Sequence, residues 1–293
     1  QIPQITISKL LNYKFFPQII IFYVWMYGIV CVALLAKVSP AVRRFFSWRP
    51  VIFEQVPLLD RCTMGEFLFA LVFGIFQFAT FAYTFWNWYA IPHSKWRGSP
   101  VTERWGRCLG QTSMFAMGAM VLPVSRNSVW SKVLDYPWDG MIKFHRWMSI
   151  TFILISTGHM IAFWFCFHSL DEFPAALFSS PNAYRKEDST VGMMSGMIFC
   201  ILIPVFCILT WNYVRRRQFE LFYYTHLLSS VIFLGTLWHA DFAWMYLIPG
   251  LAMWMWDHCL RFTDSVRNYE MTGLTVCGDD VVELCIGLKS KPS

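Results

Sequence analysis

Residues 143–159 read KFHRWMSITFILISTGH, and residues 219–240 read FELFYYTHLLSSVIFLGTLWHA. Each is an apolar stretch with a histidine toward either end: His145 and His159 in the first, His226 and His239 in the second, 14 and 13 positions apart. A helix that crosses a bilayer needs about 20 mostly apolar residues. An ionisable side chain inside one is costly and counts as functional by default. One such histidine reads as a satisfied core residue, but two pairs at nearly equal spacing read as ligands. At about 1.5 Å rise per residue, the members of each pair lie roughly 21 and 20 Å apart along their helices. Both levels then fit inside a hydrocarbon core about 30 Å thick.

Composition supports the membrane reading. The 293 residues are 56% hydrophobic, 19% aromatic and 14% charged, with mean hydropathy +0.44, whereas a soluble domain is about 25% charged. Seven spans are expected: Phe16–Ala36, Gly65–Ile91, Trp105–Val124, Met141–Phe167, Val191–Val214, Phe219–Ala240 and Ala243–Phe262. The third is interrupted by Arg107 and Gln111. The net charge of +6 comes from basic residues in short loops. They read as topology signals rather than nucleic-acid contacts. The Arg215–Arg217 triple puts its loop, and with it the C-terminus, on the cytosolic side of a plasma membrane. Lys95, Arg97, Arg104 and Arg107 oppose that bias from an outer-side loop, where they could attract an anionic substrate. The nine cysteines include no C-x-x-C and read as small buried hydrophobes.

One span separates the fourth from the sixth, so those two helices run the same way. His145 then faces His226 at the cytosolic level, and His159 faces His239 at the outer level. A neutral imidazole on each axial side of an iron porphyrin is standard haem ligation. One detail does not fit: 13 residues at 100° each leave His239 about 140° round the helix from His226. Phe152 and Phe233 lie midway between their histidines and are candidates for the space between two cofactors. His93, His168 and His258 read as interfacial or structural. After Phe262 the composition changes. LTVCGDDVVELCI, 274–286, holds two β-prone runs around a Gly-Asp-Asp turn, the opening hairpin of a soluble domain.

These segments resemble the ferric reductase and NADPH oxidase superfamily. FELFYYTH (219–226), LWHAD (237–241), LPVSRNS (122–128) and KFHRWMS (143–149) look like its core helices. PGLAMWMWDHCLRF (249–262) is similar to the last core helix of plant-type ferric-chelate reductases. The resemblance implies an all-α membrane protein with a six-helix bis-haem core over 65–262. An extra N-terminal transmembrane helix and cytosolic linker would occupy 1–64, and the truncated first strands of a β-barrel flavin domain 263–293. It implies two haems b, the inner held by His145 and His226 and the outer by His159 and His239. Arg126 and Arg146 would pair with haem propionates, since a guanidinium suits a carboxylate.

FAD and NADPH are implied on further domains, because no G-x-G-x-x-G and no flavin motif occurs in this sequence. The implied activity is electron transfer to an extracellular ferric chelate. The alternative acceptor is oxygen, reduced to superoxide or hydrogen peroxide. In the oxidases another histidine usually lies one turn beyond the outer ligand of the third core helix; here that position is Phe163, which favours the metal-reductase branch. A reading of another class, a transporter or non-redox bundle with satisfied histidines, predicts no haem. Expected partners are membrane lipid and an accessory membrane subunit or further copies of the chain, with no nucleic acid.

Overall fold

The described backbone is a helical bundle that ends in a β-hairpin. The structure, a computed structural model, describes residues 16–56, 62–90, 100–125, 134, 136–171, 173, 201–240, 242–265, 269–276 and 282–288. The helices are α1 (Phe16–Val38), α2 (Pro40–Ser47), α3 (Val51–Glu54), α4 (Met64–Tyr89), α5 (Pro100–Val121), α6 (Trp138–His168), α7 (Ile201–Thr210), α8 (Asn212–Arg217), α9 (Phe219–Leu227), α10 (Ser229–His239) and α11 (Ala243–Ser265). Strand β1 (Tyr269–Val276) pairs antiparallel with β2 (Val282–Leu288), with an irregularity between Met271 and Gly273. The expected hairpin is therefore present, with a first strand that begins before the β-prone run.

The chain is a multi-pass membrane protein. Among the described residues, four stretches are long and apolar enough to cross a bilayer: Pro17–Val38, Met64–Tyr89, Trp138–His168 and Phe219–His239. Seven were expected from sequence. The third and seventh expected spans are present as α5 and α11 but are less apolar than that. The first part of the fifth lies outside the described residues; its remainder forms α7 and α8, with a bend at Trp211.

The position of α5 explains its polarity. It packs against α4, α6 and α11, and every residue from Gln111 to Val121 is buried. A helix sheathed by other helices does not need the apolar circumference that lipid demands. Small residues let its neighbours approach closely. On α11, buried Asp257 pairs with Arg261 at 2.8 Å.

Helix α1 is integral to this core. The buried Gln18 amide donates to Thr84 Oγ1 on α4 (3.4 Å) and Gln111 Oε1 on α5 (3.2 Å). The Tyr23 hydroxyl donates to the Met245 carbonyl on α11 (2.9 Å). Phe22 meets the rings of Phe115 and Tyr246 edge-on, each with a centroid separation of 5.2 Å.

At the other end, α4 starts with a capping box between Thr63 and Glu66. The buried Glu66 carboxylate also accepts from Lys143 Nζ (2.8 Å) and from the Tyr136 hydroxyl (2.7 Å), which ties the start of α4 to the start of α6. Removing one partner of a buried ion pair costs about 3–5 kcal/mol. Lys143 is about a third exposed, so Lys143→Met is expected to cost less, about 2 kcal/mol. Thermal unfolding in detergent should show a lower Tm for Lys143→Met, partly restored by adding Glu66→Gln. An unchanged Tm in the single variant would remove the clamp from the account. Burial, and then the Glu66 carboxylate, pushes the Tyr136 phenol up. Its share of the stability is intact below the ordinary phenol value of about 10 and is lost as pH rises beyond it.

Candidate functional site: two facing histidine pairs

Helix α6 carries His145 and His159 on one continuous helix. The structure sets His145 against His226 with ring centroids 6.1 Å apart and planes at 84°. His159 and His239 stand at 6.1 Å and 80°. Both pairings read from the sequence are formed. The facing mismatch over 13 residues is resolved by a break: α9 ends at Leu227 and α10 begins at Ser229. Around Leu228 the backbone bonds run to the third residue back, Leu228 N–H to Thr225 O and Val231 N–H to Leu228 O. A tightened turn of this kind interrupts the regular ladder, so each half can face its own partner.

Hydrogen bonds fix the chemistry of the α6 rings. His145 Nδ1 lies 2.8 Å from the Met120 carbonyl and His159 Nδ1 lies 2.6 Å from the Gly106 carbonyl, both on α5. A carbonyl oxygen can only accept, so each Nδ1 carries the proton. Each Nε2 then presents a lone pair, the form that binds a metal. His226 lies between Phe206 and Phe222, each with its ring centroid at 5.2 Å. Its Nδ1 is buried, with no hydrogen-bond partner among the described residues.

The donor set suits one kind of group. With an imidazole nitrogen at about 2 Å on either side of a metal, the two ring centroids stand a little over 6 Å apart, which matches both pairs. Among the described residues no third His, Cys, Asp or Glu completes a site of three. Two opposed nitrogens therefore fit a metal that arrives with its own equatorial ligands, as a porphyrin iron does.

Other expected residues fall differently. Phe152 is buried in the core, and Phe233 is half-buried against the same cluster. Arg146 is exposed and donates to Asn212 Oδ1 (3.2 Å), which links the start of α6 to the basic α8. Arg126, Lys95, Arg97 and His93 lie outside the described residues. The outer-side basic loop is corrected in part, since Arg104 and Arg107 belong to α5. Arg104 is buried and sits over the Tyr89 ring at 5.3 Å. Arg107 pairs with buried Glu103 at 2.8 Å and lies over Trp88 at 5.0 Å. Both are engaged by the helices around them instead of standing in a solvated loop. His168 ends α6 at the surface. His258 bonds the Trp254 carbonyl within its own helix at 2.9 Å, the structural role expected for it.

Sequence reasoning missed Gly106 and Gly110. A Cβ on Gly106 would come within 2.6 Å of the Phe163 ring, and one on Gly110 within 2.8 Å of the His159 ring. Phe163 itself stands edge-on to His159 at 5.1 Å. The signal was a G-x-x-x-G at 106–110, the spacing that lets membrane helices approach closely.

Comparison with known proteins agrees with this architecture. Residues 109–237 match the family described as ferric reductase like transmembrane component, a stretch that contains His145, His159 and His226 and ends two residues before His239. Ferric reduction oxidase 2 of Arabidopsis thaliana is 24% identical over 184 residues, covering 62% of this chain and 24% of the relative. Ferric reduction oxidase 7, chloroplastic, of the same plant is 24% identical over 260 residues, 85% of this chain and 33% of the relative. Ferric reductase transmembrane component 6 of Saccharomyces cerevisiae is 25% identical over 153 residues, half of this chain and 20% of the relative. The chain thus spans about a quarter to a third of the length of the plant relatives it matches. It is similar to the ferric reductase like transmembrane family over residues 109–237 and to the plant ferric reduction oxidases.

Proposed function

We propose that this chain carries electrons across a membrane through two haems b, one held by His145 and His226 and the other by His159 and His239, and delivers them to a ferric chelate on the side away from Arg215–Arg217. The observation that carries the reading is the pair of imidazole couples, both at 6.1 Å, stacked along one helix. A haem bound there supplies reversible one-electron cycling of its iron. The residues do the rest. The Nε2 lone pairs of α6 point across to α9 and α10, the α5 carbonyls hold the protons at Nδ1, and the aromatic walls keep water from the inner pair. Phe152 and Phe233 line the way between the two levels, and Arg146 and Arg126 serve the propionates. Electrons reach the inner haem from FAD and NADPH, carried on further sequence or on a separate chain; the hairpin of β1 and β2 is the opening of the flavin domain.

The acceptor follows from the outer level. A large chelate takes one electron at an exposed haem edge. Oxygen reduction gains from a polar group beside the site that stabilises developing negative charge, and Phe163 offers none. A pyridine haemochrome assay is expected to give two haems per chain, and zero or one would refute the reading. Near-perpendicular imidazole planes, at 84° and 80°, are expected to give a highly anisotropic low-spin ferric EPR signal from both haems. With full-length enzyme and NADPH, ferric citrate should be reduced faster than superoxide forms, and Phe163→His should raise the oxygen rate. Superoxide output equal to or above the ferric rate would assign the protein to oxygen chemistry.

A further inference from the structure

Helices α5 and α6 run antiparallel, and their contacts repeat at one interval. Met120 O meets His145, and Gly106 O meets His159. The carbonyls are 14 residues apart on one helix, and the histidines 14 apart on the other. Equal residue counts on two straight α-helices span equal lengths, so α5 presents an acceptor at each level where α6 presents a ring. The opposite wall lacks this regularity: α9 and α10 are broken at Leu228, and His226 Nδ1 is buried without a partner among the described residues.

We propose that α5 is the positioning helix of both metal sites. It fixes the tautomer and the plane of the two α6 ligands through main-chain carbonyls, while the α9–α10 wall adapts to them. This rests on the haem reading above. A ligand imidazole that donates its second N–H to a carbonyl is more basic and better held, and losing such a support costs about 10–100-fold in affinity or activity. Because the acceptors are backbone atoms, no side-chain identity at these positions encodes them. What the sequence must supply is close approach, and at the outer level this comes from the absence of side chains at Gly106 and Gly110. Gly106 leaves room for Phe163 and offers its carbonyl to His159; Gly110 leaves room for the His159 ring itself. At the inner level Met120 carries a side chain, and its sulfur accepts from Ser149. A methyl group added at Gly106 or Gly110 therefore disturbs the positioning of the outer haem and leaves that of the inner haem in place.

The test uses the full-length, haem-loaded protein and separates the two haems by potentiometric titration and EPR. Gly110→Ala is expected to push the His159 ring off the Gly106 carbonyl. A less basic ligand favours the ferrous state, so the outer haem should shift by roughly tenfold in its reduction equilibrium, about 59 mV upward for one electron, with its EPR signal changed and the inner haem unmoved. Gly106→Ala should do the same, and Phe163→Ala added to it should restore the outer haem, because the Phe163 ring is what the new Cβ meets. Phe163→Ala should not restore Gly110→Ala. Equal shifts of both haems, no shift in either, or failure of the Gly106→Ala rescue would overturn the proposal. A wild-type protein without haem would instead overturn the functional reading beneath it.

Discussion

Replacing His145 or His226 with alanine should lower the haem content from two per chain to one and abolish acceptor reduction. Replacing His159 or His239 should also leave one haem, but that haem should still be reducible from the flavin side. Each pair opposes one ring to one ring at 6.1 Å, so a missing imidazole leaves the iron a single protein ligand in a slot shaped for two. Loss of a supporting group around a metal costs about 10–100-fold, and loss of the ligand itself should exceed that. Pyridine haemochrome content and flavin-driven reduction spectra of the four variants read the outcome. The direction of the asymmetry matters most. If His145→Ala kept the first-reduced haem and lost the second, the orientation assigned from Arg215–Arg217 would be inverted. If all four variants kept two haems, the pairs would not be ligands.

A second large effect is expected where no histidine is involved. Gly118→Ala should cost roughly 3 kcal/mol, the upper end of what overpacking costs, and Gly118→Leu should prevent assembly. A Cβ at this position would lie 2.6 Å from the Tyr246 carbonyl oxygen, 2.9 Å from the Tyr246 Cβ and 3.1 Å from the Phe22 ring. The first of these is main chain and cannot swing aside. Gly118 is therefore where α1, α5 and α11 meet. Because α5 also carries Gly106 and Met120, displacing it should lower the occupancy of both haems together. Gly28 and Gly74 are the controls, since nothing lies within 4 Å of a Cβ built on either. At those sites alanine should be neutral or stabilise the helix by up to about 1 kcal/mol. Tm and haem content measured on the three alanine variants decide the matter; a Gly118→Ala protein as stable as Gly74→Ala would contradict the packing.

What the sequence made legible was the chemistry that must be written in side chains. His145, His159, His226 and His239 could be paired from spacing and direction alone, because a ligand is a residue type at a depth. The hairpin was legible because strand propensity and a Gly-Asp-Asp turn are local. The break at Leu228 was not, since Leu228 and the serines after it carry no strong helix-stop signal. Only the angular mismatch of a 13-residue interval pointed to it. The roles of Arg104 and Arg107 were misread for a related reason. A charged residue before an apolar run reads as loop, but Glu103, Trp88 and Tyr89 supply partners that let the helix begin earlier. The acceptors for His145 and His159 were invisible, because every residue has a carbonyl.

The sheathing of α5 bears on how the protein is made. Its Arg104, Arg107 and Gln111 find partners on neighbouring helices, at Tyr89, Trp88 and Gln18, while Glu103 pairs with Arg107 within α5 itself. On the scale of insertion by the translocon, a charged residue costs up to about 3.5 kcal/mol at the centre of a helix and less toward its ends. A nascent α5 on its own is therefore expected to enter lipid less readily than α4 or α6. Helix α4, whose Gln77 amide can reach the backbone of Thr112 and Ala116, is expected to hold it until α6 has been synthesised. Insertion of the three helices together is the expected outcome, tested by truncating the nascent chain between residues 121 and 138 and measuring whether α5 is integrated. The feature that lets α5 organise the finished centre is thus expected to make its membrane integration a cooperative event.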